Sequence, residues 1–547
     1  MKVKSAVKIG SIKQLFLDDH VIEEMRGCRR QLHRPVRCED NPLLEADKPW
    51  EQGGNGVYLF GGTVIFDEEE ERFKMWYRTS VVERSATKAW EEPKGSYRTC
   101  YALSEDGRVW HKPNLELDSY DGSKQNNILP PAPAPGGMEY VRRPNLIKDY
   151  EEPDPERRYK MAYMDDIDGK WVLSKAYSRD GIHWKMNVGT PVYFAPPAIP
   201  NGVLFGWDAG SGKYLLFHRQ CTTIPADVDG RQVRRDLALV RSTSLDFDAW
   251  SETEEVIGPG ECDPPRWEPG HVGVLAAFPY TEDLYLGFLD TCTTHQVEDV
   301  PEHLWENVYQ HEHAEHRTEL VISRDARNWK RVLPGWEFLR PGLWGGWDSN
   351  HVALSKPIVR NDQILIYYTG RNLSCKAQLP DSPQRALMHK VIDGQRMGYA
   401  IGLASMRSDG FASIQAYESE GTLTTRAMIF RGDRLVVNAR APETGFAAGS
   451  AGGAPHGRLR VEILDPQEPN RTGYSAADCD AFSGDAVRHL VTWQGQPDLG
   501  AFAGKPIRLR FHLKNAALYS FQFADQQARP SPINLLCPGC RGHGPTG

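Results

Sequence analysis

The stretch Ser104-Glu-Asp106-Gly107-Arg-Val-Trp110 recurs along the chain with its serine, aspartate and tryptophan at the same spacing. The other full copies are Ser178-Arg-Asp180-Gly181-Ile-His-Trp184, Ser244-Leu-Asp246-Phe247-Asp-Ala-Trp250 and Ser323-Arg-Asp325-Ala326-Arg-Asn-Trp329. The copies begin 74, 66 and 79 residues apart, and a degenerate fifth copy at Ser405 begins after a further 82. A period of this length holds one multi-stranded unit rather than a helical repeat. We therefore predict an all-β chain that contains a five-bladed β-propeller.

The repeated S-x-D-x-x-x-W pattern is typical of a tight turn. Serine and aspartate side chains accept hydrogen bonds from the backbone of such a turn, and glycine tolerates a positive φ. The tryptophan then packs between neighbouring sheets. We expect these residues to build the blades and to take no part in chemistry.

Short runs of alternating apolar and polar residues fill the intervals between the repeats, and each interval supplies about four strands, the size of a propeller blade. From about Gly421 the repeat is lost, while short strands and turns continue. The predicted organisation has three parts. They are a propeller over residues 1–420, a β-sandwich over 421–525 and a flexible tail over 526–547.

Length and charge restrict the class of protein. A chain of 547 residues is expected to form two or more domains. Its formal net charge of −8 provides no basic surface for a phosphate backbone, so we expect no nucleic-acid partner. Neither a signal peptide nor an apolar stretch long enough to span a membrane is found, so we predict a cytoplasmic protein with no membrane partner. Oligomeric state is left open.

Two groups of residues resemble metal ligands only weakly. Cys537 and Cys540 form a lone CxxC in a tail rich in Gly and Pro, and Glu306, His311, His313 and His316 follow no standard zinc spacing. We interpret the second group as a surface loop. The sequence thus predicts no metal and no cofactor.

Candidate site residues follow from the geometry of a propeller, because the innermost strands of all blades begin around one central funnel. Four carboxylates near such starts are candidate catalytic groups: Asp19, Glu51, Glu268 and Asp348. Neighbouring aromatic, amide and cationic side chains are candidate substrate-binding groups: Trp50, Asn55, Arg142, Arg143, Trp267, His271, Trp347 and His351. Each carboxylate also has a structural interpretation; Asp19, for example, could pair with Arg29 or Arg30.

This mixture of side chains suits glycoside chemistry. One carboxylic acid protonates the leaving oxygen, a second carboxylate acts on the anomeric carbon or activates water, and aromatic rings stack on the sugar. The sequence does not assign individual roles to the four acids, and it does not decide whether cleavage retains or inverts the anomeric configuration.

The chain resembles the five-bladed propeller glycosidases, the group that contains glycoside hydrolase families 32, 43, 68 and 130. The resemblance rests on the blade motifs above, on second strands such as Phe73-Lys-Met-Trp-Tyr77, and on a trailing β-sandwich like that of family 32. It implies a glycoside hydrolase that acts on an oligosaccharide or glycoside. Two alternatives stay open. The adjacent Arg142 and Arg143 would suit the phosphate of a glycoside phosphorylase, and a funnel without paired acids would indicate a non-catalytic glycan-binding propeller.

Overall fold

The structure is a computed structural model of the whole chain. It describes residues 6–52, 56–80, 97–130, 142–167, 170–187, 191–194, 202–223, 234–258, 270–294, 314–343, 345–372, 391–392, 395–396, 398–442, 456–464 and 473–525. These residues form two compact units. One, the propeller unit, spans residues 36–358 and 365–405, and the other, the two-sheet unit, holds the described residues of 6–35, 359–364 and 406–525.

Strands account for the regular structure, and within the described ranges the only helices are single 3-10 turns. Four strands open the chain: β1 (Val7–Gly10), β2 (Gln14–Leu15), β3 (Ile22–Arg26) and β4 (Arg29–Leu32). The short strand β5 (Val36–Arg37) follows. The 3-10 turns are Pro49–Glu51, Pro155–Arg157 and Gly500–Phe502.

The described strands of the propeller unit are divided here into five antiparallel groups, called blades 1 to 5, of which blades 3 and 4 belong to one eight-stranded sheet through a parallel bridge between Leu237 and His271. Blade 1 contains β6 (Val57–Asp67), β7 (Arg72–Ser80) and β8 (Tyr97–Ser104). Blade 2 contains β9 (Arg142–Lys148), β10 (Tyr159–Ile167), β11 (Lys170–Ser178), β12 (Trp184–Asn187) and β13 (Tyr193–Phe194). Blade 3 contains β14 (Gly202–Asp208), β15 (Lys213–Thr223), β16 (Arg234–Ser244) and β17 (Glu254–Ile257).

The last two blades follow the same order. Blade 4 contains β18 (Gly270–Thr281), β19 (Leu284–Thr294), β20 (Ala314–Ser323) and β21 (Lys330–Arg331). Blade 5 contains β22 (His351–Leu354), β23 (Ile358–Arg360), β24 (Gln363–Arg371) and β27 (Tyr399–Arg407), and β25 (Val391–Ile392) and β26 (Gln395–Arg396) form a separate hairpin. Strand β5 completes blade 5, because Val36 and Arg37 pair with Ser405 and Ala404 of β27.

The repeated motif forms the predicted turn in every full copy. In the first copy the Ser104 hydroxyl accepts a 2.9 Å hydrogen bond from the Gly107 amide, and the Asp106 carboxylate accepts bonds from the amides of Arg108 and Val109. The residue after the aspartate has a positive φ in all four copies, whether it is Gly107 (75°), Gly181 (78°), Phe247 (67°) or Ala326 (53°). The predicted structural role of the motif is confirmed.

Hydrogen bonds between neighbouring blades, most of them made by the motif turns, link the blades in a ring. The Trp76 indole of blade 1 donates a 2.7 Å hydrogen bond to the Gly181 carbonyl of blade 2. Arg157 of blade 2 donates to Asp246 of blade 3, and Arg241 of blade 3 donates to Ala326 of blade 4. Two further hydrogen bonds complete the ring. Thr318 of blade 4 donates to the Val352 carbonyl of blade 5, and Tyr367 of blade 5 donates to the Gly107 carbonyl of blade 1.

The ring closes because Tyr367 belongs to blade 5 and Gly107 to blade 1. Their hydrogen bond, from the Tyr367 hydroxyl to the Gly107 carbonyl, measures 2.7 Å. Closure of this kind is the way in which propellers avoid a long exposed sheet edge. The all-β class and the propeller architecture predicted from the repeats are confirmed.

The two-sheet unit consists of two six-stranded sheets. The first sheet contains β1, β3, β29 (Gly421–Thr425), β30 (Met428–Phe430), β32 (Arg458–Leu464) and β34 (Pro506–Lys514). The second contains β2, β4, β28 (Ala412–Ala416), β31 (Arg434–Ala441), β33 (Gly484–Leu490) and β35 (Ala516–Ala524). Their inner faces share one apolar core, in which the rings of Phe430 and Phe523 stack with centroids 3.7 Å apart.

The division between the units differs from the predicted boundary at residue 420. Strands β1 to β4, which the sequence analysis placed in the propeller, pair with strands of the two-sheet unit: β1 with β30, β2 with β35, β3 with β29 and β4 with β28. The motif repeat could not indicate this, because it marks blades only. Residues 526–547 lie outside the described part of the chain.

Candidate functional site

A cavity of about 50 Å³ lies where the inner strands of the blades meet. All five blades contribute to its lining, which consists of Leu59, Gly62, Thr63, Val64, Asn145, Val203, Ala276, Phe288, Asp290, Thr318, Ala353, Leu354, Ser355 and Lys356. Two of these side chains also tie the inner strands together. Thr63 accepts a hydrogen bond from the Leu146 amide at 3.1 Å, and Asn145 accepts one from the Leu204 amide at 2.7 Å. Polar lining residues therefore satisfy backbone donors of the adjacent inner strand.

Asp290 is the one carboxylate among the described residues that line this cavity. It lies in β19, where it pairs with Thr318 of β20, so His316 stands diagonally across from it on the same face. Nδ1 of His316 is 3.6 Å from Oδ1 of Asp290. Nε2 of His351, the first residue of inner strand β22, is 3.5 Å from the same oxygen. We call Asp290, His316 and His351 the Asp-His-His cluster.

The Asp-His-His cluster is shielded from solvent. Asp290 and His351 are buried and His316 is half-buried, and the two imidazole rings lie with centroids 4.1 Å apart at an angle of 32°. The three potential ligand atoms all lie within 4.8 Å of one another. Of the predicted site residues, His351 alone is brought to this position by the structure in its described part.

Charge in the cluster is distributed unevenly. Burial alone would raise the pKa of Asp290, but the adjacent imidazoles of His316 and His351 lower it below its usual range. Burial, followed by the neighbouring His316 and Arg371, lowers the pKa of His351 to about 4, against the opposing effect of Asp290. Near neutral pH the Asp-His-His cluster therefore holds an ionised carboxylate, that of Asp290, beside the uncharged imidazole of His351.

Lys356 marks another part of the cavity lining. Its ammonium group donates a 2.8 Å hydrogen bond to the Leu204 carbonyl of blade 3, although Lys356 itself follows the inner strand of blade 5. Burial lowers the pKa of Lys356 to about 7. The side chain thus links blades 3 and 5, and burial makes its ammonium group lose a proton more readily than that of an exposed lysine.

Glu51, a predicted catalytic residue, is fully buried in a network that occupies both carboxylate oxygens. Oε2 accepts a 2.7 Å hydrogen bond from the Lys112 ammonium group and two more from backbone amides, and Oε1 accepts a 2.5 Å bond from the Tyr77 hydroxyl. Trp50 donates to Asn127 at 2.9 Å, and Asn127 in turn donates to Tyr77. Glu51 and Trp50 therefore belong to a packed structural network and do not line the cavity.

Asp348 is likewise held by its neighbours. Its Oδ2 accepts hydrogen bonds from Arg37 at 2.7 Å and from the Tyr368 hydroxyl at 3.0 Å. Trp347 stacks on the Tyr368 ring at 5.4 Å. A Cβ atom on Gly370 would come within 2.4 Å of the Trp347 ring, so the indole fills the space that this glycine leaves. Neither Trp347 nor Asp348 is among the residues that line the cavity.

The remaining predicted residues lie elsewhere. Asp19 belongs to the two-sheet unit, where its exposed carboxylate pairs with Arg30, one of the two partners suggested by the sequence. The backbones of Arg142, Arg143 and His271 lie in β9 and β18, while their side chains fall outside the described part of the structure. Asn55, Trp267 and Glu268 also lie outside it.

Sequence reasoning missed Asp290 and interpreted His316 differently from the structure. His316 was grouped with Glu306, His311 and His313 in a surface loop, whereas it lies in strand β20 and the other three are outside the described residues. Asp290 lies within the second strand of blade 4, whereas the sequence criterion selects residues near the starts of inner strands. The feature of the sequence that indicates Asp290 is its position directly after the apolar run Leu284–Leu289, where a charged side chain is unusual.

Comparison with known proteins gives distant resemblances only. No protein-family model matches the chain, and no curated protein matches it. One similar solved structure is a β-1,2-mannobiose phosphorylase from Listeria innocua, with 13% identity, coverage of 69% of this chain and 97% of that chain, and a TM-score of 0.43. A second is an N-acetylgalactosamine deacetylase from F. plautii, with 14% identity, coverage of 70% and 96%, and a TM-score of 0.40.

A third similar structure is an α-L-arabinanase from Penicillium chrysogenum, with 11% identity, coverage of 70% of this chain and 99% of that chain, and a TM-score of 0.34. At these identities and TM-scores the comparisons assign no reaction to this chain. In the described part of the structure, no helix has the length and apolar character needed to cross a membrane.

Proposed function

We propose that this protein is a carbohydrate-active enzyme that cleaves a glycosidic bond at the central cavity, with hydrolysis as its reaction. The observation that carries the proposal is the position of Asp290, an ionised carboxylate on the wall of a cavity shared by all five blades. A fixed negative charge at that point suits the positive charge that develops on a sugar ring during glycoside cleavage.

Hydrolysis of this kind uses a second carboxyl group, separated from the first by roughly 5 to 5.5 Å for retention or 6.5 to 9.5 Å for inversion. Glu268 remains our candidate for it. This residue precedes β18 in the sequence, and β18 pairs with the strand that carries Asp290 through Val274. Glu51 and Asp348 are weaker candidates, because cations and hydroxyl groups already occupy their carboxylate oxygens.

A glycoside phosphorylase is the second candidate. It is favoured by the position of Arg142 and Arg143 in β9, the strand that also places Asn145 in the cavity lining. An arginine side chain directed at the cavity would bind inorganic phosphate well. Phosphorolysis and hydrolysis differ in whether turnover requires phosphate.

The test is a screen of aryl glycosides and oligosaccharides with the full-length protein, with and without inorganic phosphate. We expect turnover without phosphate and a loss of about 10²- to 10⁴-fold in kcat for Glu268→Gln. Asp283→Asn is the matched control, because Asp283 lies in the turn before β19, seven residues from Asp290, and pairs with Arg324. This control should retain wild-type kcat.

Each other outcome changes the conclusion. Turnover that requires phosphate would replace hydrolysis with phosphorolysis. Glycan binding without turnover would indicate a binding propeller. A Glu268→Gln variant with wild-type kcat would remove Glu268 from the mechanism, and the absence of both turnover and binding across the panel would overturn the proposal as a whole.

A further inference from the structure

We propose that the Asp-His-His cluster binds a divalent transition-metal ion such as Zn²⁺. The site consists of Oδ1 of Asp290, Nδ1 of His316 and Nε2 of His351. The inference goes beyond the proposed function, since metal binding can be measured without any substrate. It also differs from the prediction of no metal, which was made from sequence spacing alone.

Distances within the cluster fit shared coordination better than direct hydrogen bonding. The His–Asp separations of 3.5 and 3.6 Å exceed the usual 2.7 to 3.2 Å of an N–H···O hydrogen bond. Two ligand atoms each about 2.1 Å from one tetrahedral ion stand roughly 3.4 Å apart. An ion between the three groups would therefore require little movement of the side chains.

The ligand types indicate the class of ion. Two imidazole nitrogens and one carboxylate oxygen are typical of zinc and of other first-row transition ions, whereas calcium and magnesium take mainly oxygen ligands. Among the described residues the cluster supplies one carboxylate, whereas calcium takes six to eight oxygen ligands.

The strands that carry the ligands provide a rigid frame. Asp290 and His316 stand on the paired strands β19 and β20 of blade 4, and His351 begins the inner strand of blade 5. The junction between these blades is fixed by the hydrogen bond from Thr318 to the Val352 carbonyl at 3.2 Å. The ligand atoms are thus held together before an ion arrives, which reduces the conformational cost of binding.

Three protein ligands leave at least one coordination position open on a tetrahedral ion. Because Asp290 lines the central cavity, the open position would adjoin the space in which we place the substrate. An ion there could bind an oxygen atom of water or of a sugar, and Asp290 would then act as a ligand of the ion and not as a free negative charge. This last point alone depends on the proposed function.

Titration of the chelator-treated full-length protein with ZnCl₂, followed by isothermal calorimetry, tests the proposal directly. We expect one site that His316→Gln weakens by about 100-fold or more, since even the loss of groups that merely orient a ligand costs 10- to 100-fold. Titration with Co²⁺ should produce visible d–d absorption in the wild type and not in the variant. His316 is the most exposed of the three ligands, so its substitution is the one least expected to disturb folding.

His183→Gln is the matched control. It also removes an imidazole beside a carboxylate, that of Asp180 at 2.7 Å, but on an exposed turn of blade 2. We expect this control to bind Zn²⁺ as the wild type does, and Asp290→Asn to bind as weakly as His316→Gln. Undiminished Zn²⁺ affinity in His316→Gln, or no binding of Zn²⁺ or Co²⁺ by the wild type, would refute the site. Neither result depends on whether a glycoside is cleaved.

Discussion

The hydroxyl group of Tyr285 donates a 2.6 Å hydrogen bond to the carboxylate of Asp208, although the two residues belong to adjacent blades. The same relationship joins blades 1 and 2 through Tyr159 and Asp67, at 2.8 Å, and blades 2 and 3 through Tyr214 and Asp149. In each case the aspartate ends the first strand of a blade or follows it directly, and the tyrosine lies in the second strand of the next blade. These Tyr–Asp hydrogen bonds, here called the Tyr–Asp repeat, are a second repeated feature of the chain, and they join neighbouring blades.

Substitution of Tyr285 by phenylalanine should reduce the free energy of unfolding by about 1.5 to 3 kcal/mol, the usual cost of losing a hydrogen bond to a charged group. The measurement is the midpoint of urea denaturation monitored by tryptophan fluorescence. Tyr417→Phe is the control, because this tyrosine is exposed, and should change stability by less than about 0.5 kcal/mol. Equal effects of the two substitutions would show that the Tyr285 hydroxyl does not stabilise the blade junction.

Lys112 compensates a buried charge on Glu51. Lys112→Met should lower the free energy of unfolding at neutral pH by about 3 to 5 kcal/mol, as expected when one partner of a buried ion pair is removed. Burial already raises the pKa of Glu51 above its ordinary value of 4.5, and without Lys112 the pKa should rise further.

A raised pKa means that the folded protein takes up a proton more readily than the unfolded chain, so folded stability is lost as the pH rises through that pKa. The deficit of Lys112→Met should therefore shrink as the pH is lowered from 7 towards 5. Thermal denaturation across this range measures it, with the exposed Lys185→Met as the control. A deficit that stays constant with pH would exclude the buried Glu51 charge as its cause.

Gly370 leaves room for the Trp347 ring. In Gly370→Ala the new methyl carbon would lie 2.4 Å from both the indole and the Cβ atom of Asp348, so the ring must move. We expect a loss of about 1 to 3 kcal/mol, typical of overpacking a core. Circular dichroism melting curves provide the measurement. Gly258→Ala, whose close neighbour among the described residues is a Glu255 side-chain oxygen at 3.2 Å, should be nearly neutral.

Lys356 should give the protein a stability that rises with pH. Its pKa falls from the ordinary 10.5 to about 7 on folding, so between these values the unfolded chain holds a proton that the folded protein does not. Stability then increases by up to about 1.4 kcal/mol per pH unit. Urea denaturation of the wild type and Lys356→Met at pH 7.5 and 9 should reveal the slope in the wild type only. The exposed Lys330→Met should keep the wild-type slope.

The blades were predictable from the sequence because each carries the turn motif, and a turn depends on residues close together in the chain. Ser104, Asp106 and Gly107 interact within three residues, so their spacing is visible in the sequence. The Tyr–Asp repeat was not visible, because its partners are 65 to 92 residues apart and only the packing of neighbouring blades brings them together.

The candidate site was less predictable for the same reason. Glu51 and Trp50 stand where the start of an inner strand was expected, yet a 3-10 turn directs the Glu51 carboxylate into the protein, onto Lys112 and Tyr77. Asp290 comes from a second strand, and it meets His351 only through the pairing of blades 4 and 5. Chemical type and local pattern indicate which residues are candidates, while the register between distant strands decides which of them meet.

Strand β5 has a consequence for the synthesis of the protein. Arg37 leaves the ribosome well before its partner Ala404, which is more than 360 residues further along. At about 5 to 20 residues per second, Arg37 waits roughly 20 to 70 s for that partner. Blade 5 and the closed ring can therefore form only after Ala404 has been synthesised, and until then the nascent blades must avoid aggregation while one sheet edge is open. A chain that stops before residue 399 would lack β27 and could not close the propeller by this pairing.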